Sequence, residues 1–491
     1  MKKAGILIPA FFLLTICKAV GQVYFDELYG RNDAVEGLAR GSTVLFGDSY
    51  VNFSAYNQDR WILQIFITNL LGVETNEFEV LTPDTISEIS KNIICVDNAY
   101  FIGLSYFRNL NESSSIAGDI MLSAFDFNGT IYWRRLFGDT NRTESPQNFV
   151  EVDHKGLAVL SQTVNYVDGN DDGQVHLLKV DSLGNQVWEQ EYGGALYESG
   201  SSLLQTPDQG FLLLGWTRSF GNGQRDFYLT KTDSLGEQEW QRTYGDEGFD
   251  SGSSIIALSD GNYLLAGYRN LSERRQGYMY KIDPIGTIIW ENEYGESNTT
   301  EEFNKVIELP NGDIVAAGLY DPFGASVQQS DNGGLLVKTD GEGNELWRRT
   351  YQKNENTDLF YSVLLAEDGG FLLSGQARNA ETNSQDAWLL KVDSVGCPYP
   401  NCLVGVDEAE PSKVMMDVWP NPVEDALNIE IAGSSTQLNL HVFDISGKEM
   451  LRFTQYDKRA TITTTQWNSG MYILKGTDES GRMFSLKIVK Q

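Results

Sequence analysis

Cysteine, histidine and basic residues are scarce in this sequence, and long apolar runs are almost absent. The 491 residues include four cysteines and three histidines, and the histidines do not form a cluster with metal-ligand spacing. Lysine and arginine number 37 against 68 aspartates and glutamates, which gives a formal net charge of −31. That charge repels phosphate backbones and anionic lipid, so we expect no nucleic-acid partner.

Motifs that carry catalysis are also missing. The sequence has no Gly-x-Ser-x-Gly, no His-Glu-x-x-His and no phosphate-binding glycine loop. No catalytic residue is therefore predicted.

The one strongly apolar stretch lies at the N-terminus. Lys2 and Lys3 precede an apolar run of 13 residues, which is too short to span a bilayer, and small residues follow at 19–21. Residues 1–21 are therefore predicted to be a signal peptide, and no transmembrane segment is expected. Acylation of Cys17 is the alternative, although the bulky Ile16 precedes it. We expect the mature chain to be a monomer.

Export places the remaining cysteines in an oxidising compartment. Cys397 and Cys402 flank the turn-forming residues "PYPN" and are predicted to form a disulfide. Closing so short a loop contributes roughly 2 kcal/mol in the chain-entropy model.

A motif of the form Asp-x-x-Gly-x-x-x-Trp recurs along the chain. "KVDSLGNQVW" begins at Lys179, and related copies begin at Lys231, Lys281 and Lys338. Successive turn glycines are 50 to 57 residues apart, a period typical of propeller blades. The seven turn glycines are Gly72, Gly129, Gly184, Gly236, Gly286, Gly343 and Gly396.

Each repeat predicts four strands, with the motif as the turn between the third and the fourth. The second strands, such as "FLLLGW" and "YLLAG", are continuously apolar, which indicates burial on both faces. The last copy, at Lys391, lacks the tryptophan, whereas "VYFDELYG" at 23–30 matches a fourth strand with Phe25 in the tryptophan position. The repeating tryptophan is interpreted as a packing anchor between blades, and a ligand platform is the alternative.

We therefore predict an all-β protein with a seven-bladed β-propeller over residues 22–402, in which the N-terminal strand closes the last blade. The closure scheme is similar to that of WD-type repeat propellers. Residues 403–414 are polar and unpatterned and are predicted to be a linker. Residues 415–491 predict short strands in a small β-sandwich.

The C-terminal region carries specific motifs. They are "WPNPVEDALNI" from Trp419, "VFDISGK" from Val442, "WNSGMYILK" from Trp467 and "KIVK" from Lys487. On these motifs, residues 415–491 resemble the type A C-terminal sorting domain of the type IX secretion system. Trp419 stands where the family more often has Tyr or Phe.

That resemblance implies a Gram-negative host, export to the periplasm and passage through the outer membrane by the type IX machinery. The protein is then expected outside the cell or on its outer surface, with the tail cleaved and the cargo released or attached. The residues that match the sorting motifs are Pro420, Asn421, Pro422, Asp444, Gly447, Lys448, Gly470 and Tyr472.

One loop is a candidate calcium site. In "DGNDDG", Asp168, Asn170 and Asp172 occupy positions one, three and five of a calcium loop. Lys179 stands at position twelve, where a bidentate glutamate is needed, so an acidic solvated loop is the alternative. No other cofactor is predicted.

Variable loops connect the second strand to the third and the fourth to the next first strand, and in a propeller they share one face. Aromatic residues near arginines follow three second strands and suit stacking on sugars and bonding to acidic groups. The pairs are Tyr106 with Arg108, Trp216 with Arg218, and Tyr268 with Arg269. The alternative is that the aromatics pack between blades and the arginines offset an acidic surface.

The predicted blades resemble one another, whereas an enzyme would concentrate unusual polar residues in one or two of them. We therefore predict a secreted or cell-surface, non-catalytic propeller that binds glycan or protein. The alternative is a propeller-fold hydrolase or lyase that acts on polysaccharide.

Overall fold

The structure is a computed structural model, and the residues that it describes form strands and turns without any helix. The described ranges are 24–29, 35–46, 49–57, 61–79, 86–96, 100–109, 118–126, 128–138, 142–152, 156–165, 172–270, 274–296, 299–322, 332–353, 358–378, 385–399, 415–419, 422–432, 438–444, 449–455, 459–478 and 483–490. The predicted signal peptide (1–21) and the predicted linker (403–414) lie outside them. The chain divides into two compact units, Met1–Val404 and Gly405–Gln491.

The described residues of the first unit form seven four-stranded antiparallel sheets. Strand β1 is Phe25–Tyr29. Six sheets follow in chain order: β2–β5 (Val35–Phe46, Ser49–Asn57, Trp61–Asn69, Glu74–Glu79), β6–β9 (Ile86–Val96, Tyr100–Asn109, Asp119–Phe125, Ile131–Phe137), β10–β13 (Arg142–Val152, Gly156–Asn165, Gly173–Val180, Gln186–Tyr192), β14–β17 (Glu198–Gln205, Phe211–Thr217, Asp226–Thr232, Gln238–Tyr244), β18–β21 (Ser251–Ala257, Tyr263–Asn270, Arg275–Ile282, Ile288–Tyr294) and β22–β25 (Thr300–Glu308, Ile314–Asp321, Gly333–Thr339, Glu345–Tyr351). The seventh sheet joins β26–β28 (Leu359–Leu365, Phe371–Arg378, Gln385–Val392) to β1.

The inner strands of these sheets are buried on both faces. Strand β15 is almost wholly buried and β16 is buried throughout, whereas the outer strand β17 is exposed or half-buried at every position before its last residue, Tyr244. Apolar residues of β15 and β16 pack against those of β18–β20 in one core cluster. Successive sheets therefore stack face to face, which gives the unit a propeller-like arrangement.

The recurring turn has a specific geometry. In the turn before β17, the Asp233 carboxylate accepts hydrogen bonds from the backbone N–H groups of Leu235 (2.8 Å) and Glu237 (2.9 Å). Gly236 has φ +82°, a conformation that residues with a Cβ rarely adopt. The motif thus specifies a tight turn through an acidic acceptor and a glycine.

The tryptophan of each motif packs on the turn glycine of the following sheet. A Cβ on Gly236 would lie 2.8 Å from the Trp188 ring, and the Tyr192 hydroxyl donates to the Gly236 carbonyl at 2.7 Å. The same tryptophan contact joins Trp133 to Gly184, Trp240 to Gly286, Trp290 to Gly343, and Trp347 to Gly396. This geometry favours the packing interpretation of the tryptophan.

Strand β1 takes the place of a fourth strand. It pairs antiparallel with β28, and Trp388 Nε1 donates to Asp26 Oδ1 at 2.7 Å. The Phe25 ring lies against Gly72 of the sheet β2–β5, and the Tyr29 hydroxyl donates to the carbonyl of that glycine. Phe25 and Tyr29 therefore repeat the contacts that a motif tryptophan and tyrosine make elsewhere.

The second unit contains two sheets around one core. The strands are β29 (Met415–Trp419), β30 (Ala426–Ala432), β31 (Leu438–Asp444), β32 (Glu449–Gln455), β33 (Arg459–Thr463), β34 (Gly470–Asp478) and β35 (Met483–Lys490). The sheet orders are β29-β30-β33 and β32-β31-β34-β35. Leu427 and Ile429 from the first sheet and Leu440 and Leu474 from the second are fully buried in the shared core.

Candidate functional site

The connections of variable length leave each sheet of the first unit at one end, which we call the loop end. Buried carboxylates lie there, at or near the start of five first strands: Glu144, Glu198, Asp250, Glu301 and Asp358. The Glu198 carboxylate accepts hydrogen bonds from the backbone N–H groups of Gly194 (2.8 Å) and Ser219 (3.0 Å). Because Gly194 and Ser219 belong to different loops, the buried acid holds both loops of its sheet.

Four side chains are stacked at the loop end of the sheet β14–β17. The rings of Tyr197 and Trp216 lie within 12° of parallel, with centroids 5.3 Å apart. The guanidinium carbon of Arg225 is 3.7 Å from the Trp216 ring centroid and 6.0 Å from that of Phe249. We call Tyr197, Trp216, Arg225 and Phe249 the arginine stack. Since Tyr197 and Arg225 already pack on Trp216, the indole supports the guanidinium rather than offering an open platform.

Strand register and backbone hydrogen bonds position Arg225. The pairing of β15 with β16 places Thr217 opposite Asp226, which brings the residue before Asp226 next to Trp216. The Arg225 N–H donates to the Gly248 carbonyl at 3.3 Å, and the Asp250 N–H donates to the Arg225 carbonyl at 2.7 Å. The loop that carries Arg225 is therefore tied to the next sheet's loop, which carries Phe249.

The Arg225 guanidinium makes no hydrogen bond or ion pair with any residue that the structure describes, and its Nε is buried. The exposed side chain of Arg218 likewise has no partner within the described ranges, while its N–H donates to the Tyr197 carbonyl at 3.0 Å. Other arginines are paired: Arg269 bonds Asp246, and Arg142 bonds Glu191 at 2.6 Å. The arginine stack thus presents unused hydrogen-bond donors in an acidic protein.

The other predicted pairs are arranged differently. Tyr268 is buried, with the Arg275 guanidinium 4.8 Å from its ring centroid, and Arg269 is held by Asp246 while it lies over Tyr278 at 4.5 Å. Burial and these contacts leave Tyr268 and Arg269 little surface for a ligand.

Tyr106 lies on the sheet β6–β9, and the sheet β10–β13 separates it from the arginine stack. Its ring packs on Gly118. The side chain of Arg108 lies outside the described part of the structure. The structure therefore does not bring the three predicted pairs together. It instead adds Arg225, Tyr197 and Phe249 to Trp216 and Arg218.

The carboxyl group of Asp250 is buried away from solvent. Its side chain is fully buried, accepts hydrogen bonds from the N–H groups of Asp246 (2.8 Å) and Asn270 (3.1 Å), and has Arg269 Nε 3.8 Å away. Burial raises its pKa to about 6, although these hydrogen bonds oppose the shift. A Cβ on Gly245 would lie within 2.6 Å of carboxylate oxygens of both Asp250 and Asp226, so a second buried acid is nearby.

The raised pKa predicts a pH-dependent stability. The folded protein binds the Asp250 proton more tightly than the unfolded chain, so the stabilisation is fully present below about pH 4 and is lost as the pH rises through about 6. The contribution is about 3 kcal/mol. We expect Asp250→Asn to remove this part of the pH dependence, measured by denaturant unfolding between pH 4 and 7. If the free energy of unfolding changed with pH equally in the two proteins, Asp250 would not be the source of this pH dependence.

Several predicted sites fall largely on residues that the structure does not describe. Asp168 and Asn170 are among them, Asp172 is half-buried, and no group of metal ligands occurs within the described ranges, so the calcium loop stays a prediction. Cys397 is buried, and its proposed partner Cys402 lies outside the described residues. The disulfide therefore also stays a prediction.

The sorting residues are partly described. Tyr472 is buried and its hydroxyl donates to the Asn468 carbonyl at 2.9 Å, while Gly470 begins β34 with φ +153°. Pro422 is exposed and Asp444 ends β31. Pro420, Asn421, Gly447 and Lys448 lie outside the described residues.

A serine, a histidine and a glutamate form a hydrogen-bonded chain across β11–β13. Ser161 Oγ is 2.7 Å from His176 Nδ1, and His176 Nε2 is 3.2 Å from Glu189 Oε2. The order resembles a hydrolase triad, but Ser161 is fully buried and His176 nearly so. A substrate has no access to the serine, so the chain serves as a cross-strand link.

Of three similar solved structures, the first supports the propeller-like fold. The chain is similar to an ulvan lyase of polysaccharide lyase family PL25 bound to -[GlcA(1-4)Rha3S]-, at a TM-score of 0.50 and 9% identity over 75% of this chain and 96% of that one. It is also similar to the β-propeller domain of the Trilobed protease from Pyrococcus furiosus, at a TM-score of 0.39 and 13% identity over 72% of this chain and 95% of that one.

A third similar structure is the extracellular domain of BT3049 from B. thetaiotaomicron, described as a hybrid two-component system. Its TM-score is 0.44 and its identity 12%, over 95% of this chain. This chain spans 57% of the length of that one. None of the curated proteins matches the sequence significantly.

The first unit thus belongs to an all-β, propeller-like exported protein. Residues 417–491 match the family of secretion system C-terminal sorting domains, as the sequence motifs predict. The chain therefore ends in a type IX sorting domain, engages the type IX secretion machinery and is exported to the cell surface or the extracellular space. Among the described residues, no helix has the length and apolar character to cross a membrane.

Proposed function

We propose that the protein is a non-catalytic, exported propeller that binds a glycan at the loop end of the sheets β14–β17 and β18–β21. The observation that carries the proposal is the arginine stack, in which the exposed Phe249 ring lies beside the unused donors of the Arg225 guanidinium. Aromatic rings and planar guanidinium groups suit the flat faces and hydroxyl-rich edges of sugars. The half-buried carboxylate of Asp246 lies nearby, and it is already paired with Arg269.

The scaffold is proposed to be a closed seven-bladed propeller over residues 22–402, preceded by a cleaved signal peptide at 1–21. The seven four-stranded sheets and the pairing of β1 with β28 support this proposal. Contacts between β2 and β26, the first strands of the sheet β2–β5 and of the last sheet, also support it.

A glycan is favoured over a protein because little apolar surface is exposed around the stack. Leu196 and Phe249 are the large apolar side chains exposed there within the described ranges, and Phe249 is 36% exposed. A protein interface usually centres on a larger desolvated apolar cluster.

The test is a glycan array combined with a polysaccharide hydrolysis panel, using the mature full chain. We expect binding without release of products, and a loss of about tenfold in affinity for Phe249→Ala, which is roughly 1.4 kcal/mol. The matched control is Leu235→Ala, because Leu235 is 65% exposed at the opposite end of the same sheet. Cleavage of a polysaccharide would favour the enzyme alternative. Loss of binding in Leu235→Ala but not in Phe249→Ala would show that the ligand binds at the opposite end of the sheet and would contradict the proposed site.

A further inference from the structure

We propose that Arg225 binds an acidic group of the glycan, a uronate carboxylate or a sulfate ester. This inference rests on the proposed function and names the chemical class of its ligand. It comes from a comparison of the arginine stack with the equivalent position in the next sheet.

The next sheet repeats the arrangement of Trp216 and Arg225. Trp216 lies opposite Ser199 on the first strand, and Tyr268 lies opposite Ser251 in the same way. Arg275 begins the third strand β20, as Arg225 immediately precedes β16, and its guanidinium carbon is 4.8 Å from the Tyr268 ring centroid. Tyr268 and Arg275 are therefore the structural counterparts of Trp216 and Arg225.

The two arginines differ in what their guanidinium groups bond. Arg275 makes an ion pair with Glu302 on the first strand of the following sheet. Glu302 lies opposite Leu319, so its strand position corresponds to that of Ser251, which lies opposite Tyr268. Arg275 thus meets Glu302 on the sheet that follows it. At the equivalent position of the sheet that follows Arg225, the residue is Ser251, which has no carboxylate.

Arg225 is therefore held in place like the paired Arg275, but no carboxylate among the described residues pairs with its guanidinium. Its backbone is bonded to Gly248 and Asp250, its guanidinium lies on Trp216, and its Nε is buried without a hydrogen bond. A buried donor without an acceptor costs free energy, and the missing partner is a carboxylate or a group of the same shape. The ligand's acid group would take the place beside Arg225 that the Glu302 carboxylate takes beside Arg275.

The immobilised guanidinium also suits this ligand energetically. A planar fork that is already held in place loses little conformational freedom when it bonds two oxygens. The exposed Arg218 adds a second positive charge at the same loop end. Two unpaired arginines offset, locally, the repulsion that a chain of net charge −31 exerts on an anion.

The comparison supplies reciprocal variants for the test. Ser251→Glu places a carboxylate at the position equivalent to Glu302, so it should pair with Arg225 and block the site. Glu302→Ser should free Arg275 and create a second site. Arg225→Gln removes the charge, and Arg242→Gln is the matched control, because Arg242 lies 5.2 Å from the Trp240 ring on the outer strand of the same sheet.

Binding of the mature full chain is measured by calorimetry with three probes: an oligoglucuronate, the same oligosaccharide with its carboxyl groups reduced, and a sulfated galactose oligosaccharide. We expect one acidic probe to bind at least about tenfold more tightly than the reduced one, from the strength of charge-assisted hydrogen bonds. The acidic probe that binds identifies the carboxylate or the sulfate as the natural group. Ser251→Glu and Arg225→Gln should abolish that preference, and Arg242→Gln should keep it.

Glu302→Ser should raise the number of acidic oligosaccharides bound per chain. Near-ultraviolet circular dichroism and the Tm check folding, and Ser251→Glu is expected to keep the Tm or raise it. Equal affinity for acidic and reduced probes, or a preference that survives Ser251→Glu in a folded protein, would overturn the anion site and leave glycan binding intact. Failure of all three probes to bind would also overturn it, and the glycan array then decides the proposed function separately.

Discussion

A chain that ends at residue 404 should fold and stay inside the cell envelope. The described apolar clusters of the first unit consist of its own residues, and the second unit has its own core, so removal of residues 405–491 leaves the propeller-like unit's packing complete. Export then stops because the sorting domain is missing. We expect near-complete loss of the protein from the surface and the medium, with accumulation in the periplasm, measured by fractionation and immunoblotting.

Substitutions within the second unit test whether its fold is what the machinery requires. Leu440→Asp places a charge in a fully buried position of the core and should mimic the truncation. Met450→Ala, at an exposed position, is the control and should be exported normally. Normal appearance of the truncated chain outside the cell would contradict the sorting role.

Removal of residues 22–30 should destabilise the first unit more than any surface change. Deletion of β1 exposes the edge of β28 and breaks the hydrogen bond between Trp388 and Asp26. It also removes the contact of the Phe25 ring with Gly72, so that the first and last sheets keep only the contacts that β2 and its neighbours make with β26–β28. We expect aggregation, or a loss of several kcal/mol in the free energy of unfolding.

Single substitutions in β1 give a graded version of the same test. Phe25→Ala should cost about 3 kcal/mol or more, since it removes a buried ring. Glu27→Ala, at an exposed position of the same strand, should change stability by less than about 0.5 kcal/mol. Denaturant unfolding measures both, and an unchanged midpoint for Phe25→Ala or for the deletion would show that the sheets are joined in another way.

The repeating turns and the sorting domain could be predicted from the sequence because local chemistry determines them. An aspartate that accepts backbone N–H groups and a glycine with positive φ define a turn within five residues, as at Asp233 and Gly236. The match of Phe25 to the motif tryptophan predicted the pairing of β1 with β28 for the same reason. Because each sheet repeats one local pattern, an error in predicting the strands of one repeat does not affect the prediction of the next.

The composition of the candidate site could not be predicted in this way. The sequence pairs Trp216 with Arg218 because they are near each other in the chain, whereas the register of β15 with β16 places Arg225 on the indole. Likewise, Arg269 looks free in the sequence but bonds Asp246 from the preceding loop. Contacts across strands and between sheets depend on register and loop path, which single-residue patterns do not contain.

The pairing of β1 with β28 also determines when the first unit can finish folding. Asp26 and Trp388, which bond across this pair, are 362 residues apart in the chain. Strand β1 leaves the ribosome first, so its hydrogen-bonding groups wait for a partner until nearly the whole unit has been synthesised. Bringing such distant segments together carries the largest loop-closure entropy in the unit, which makes this pairing a slow, late step. The N-terminal strand is therefore the segment that most needs protection from aggregation while the chain is in transit.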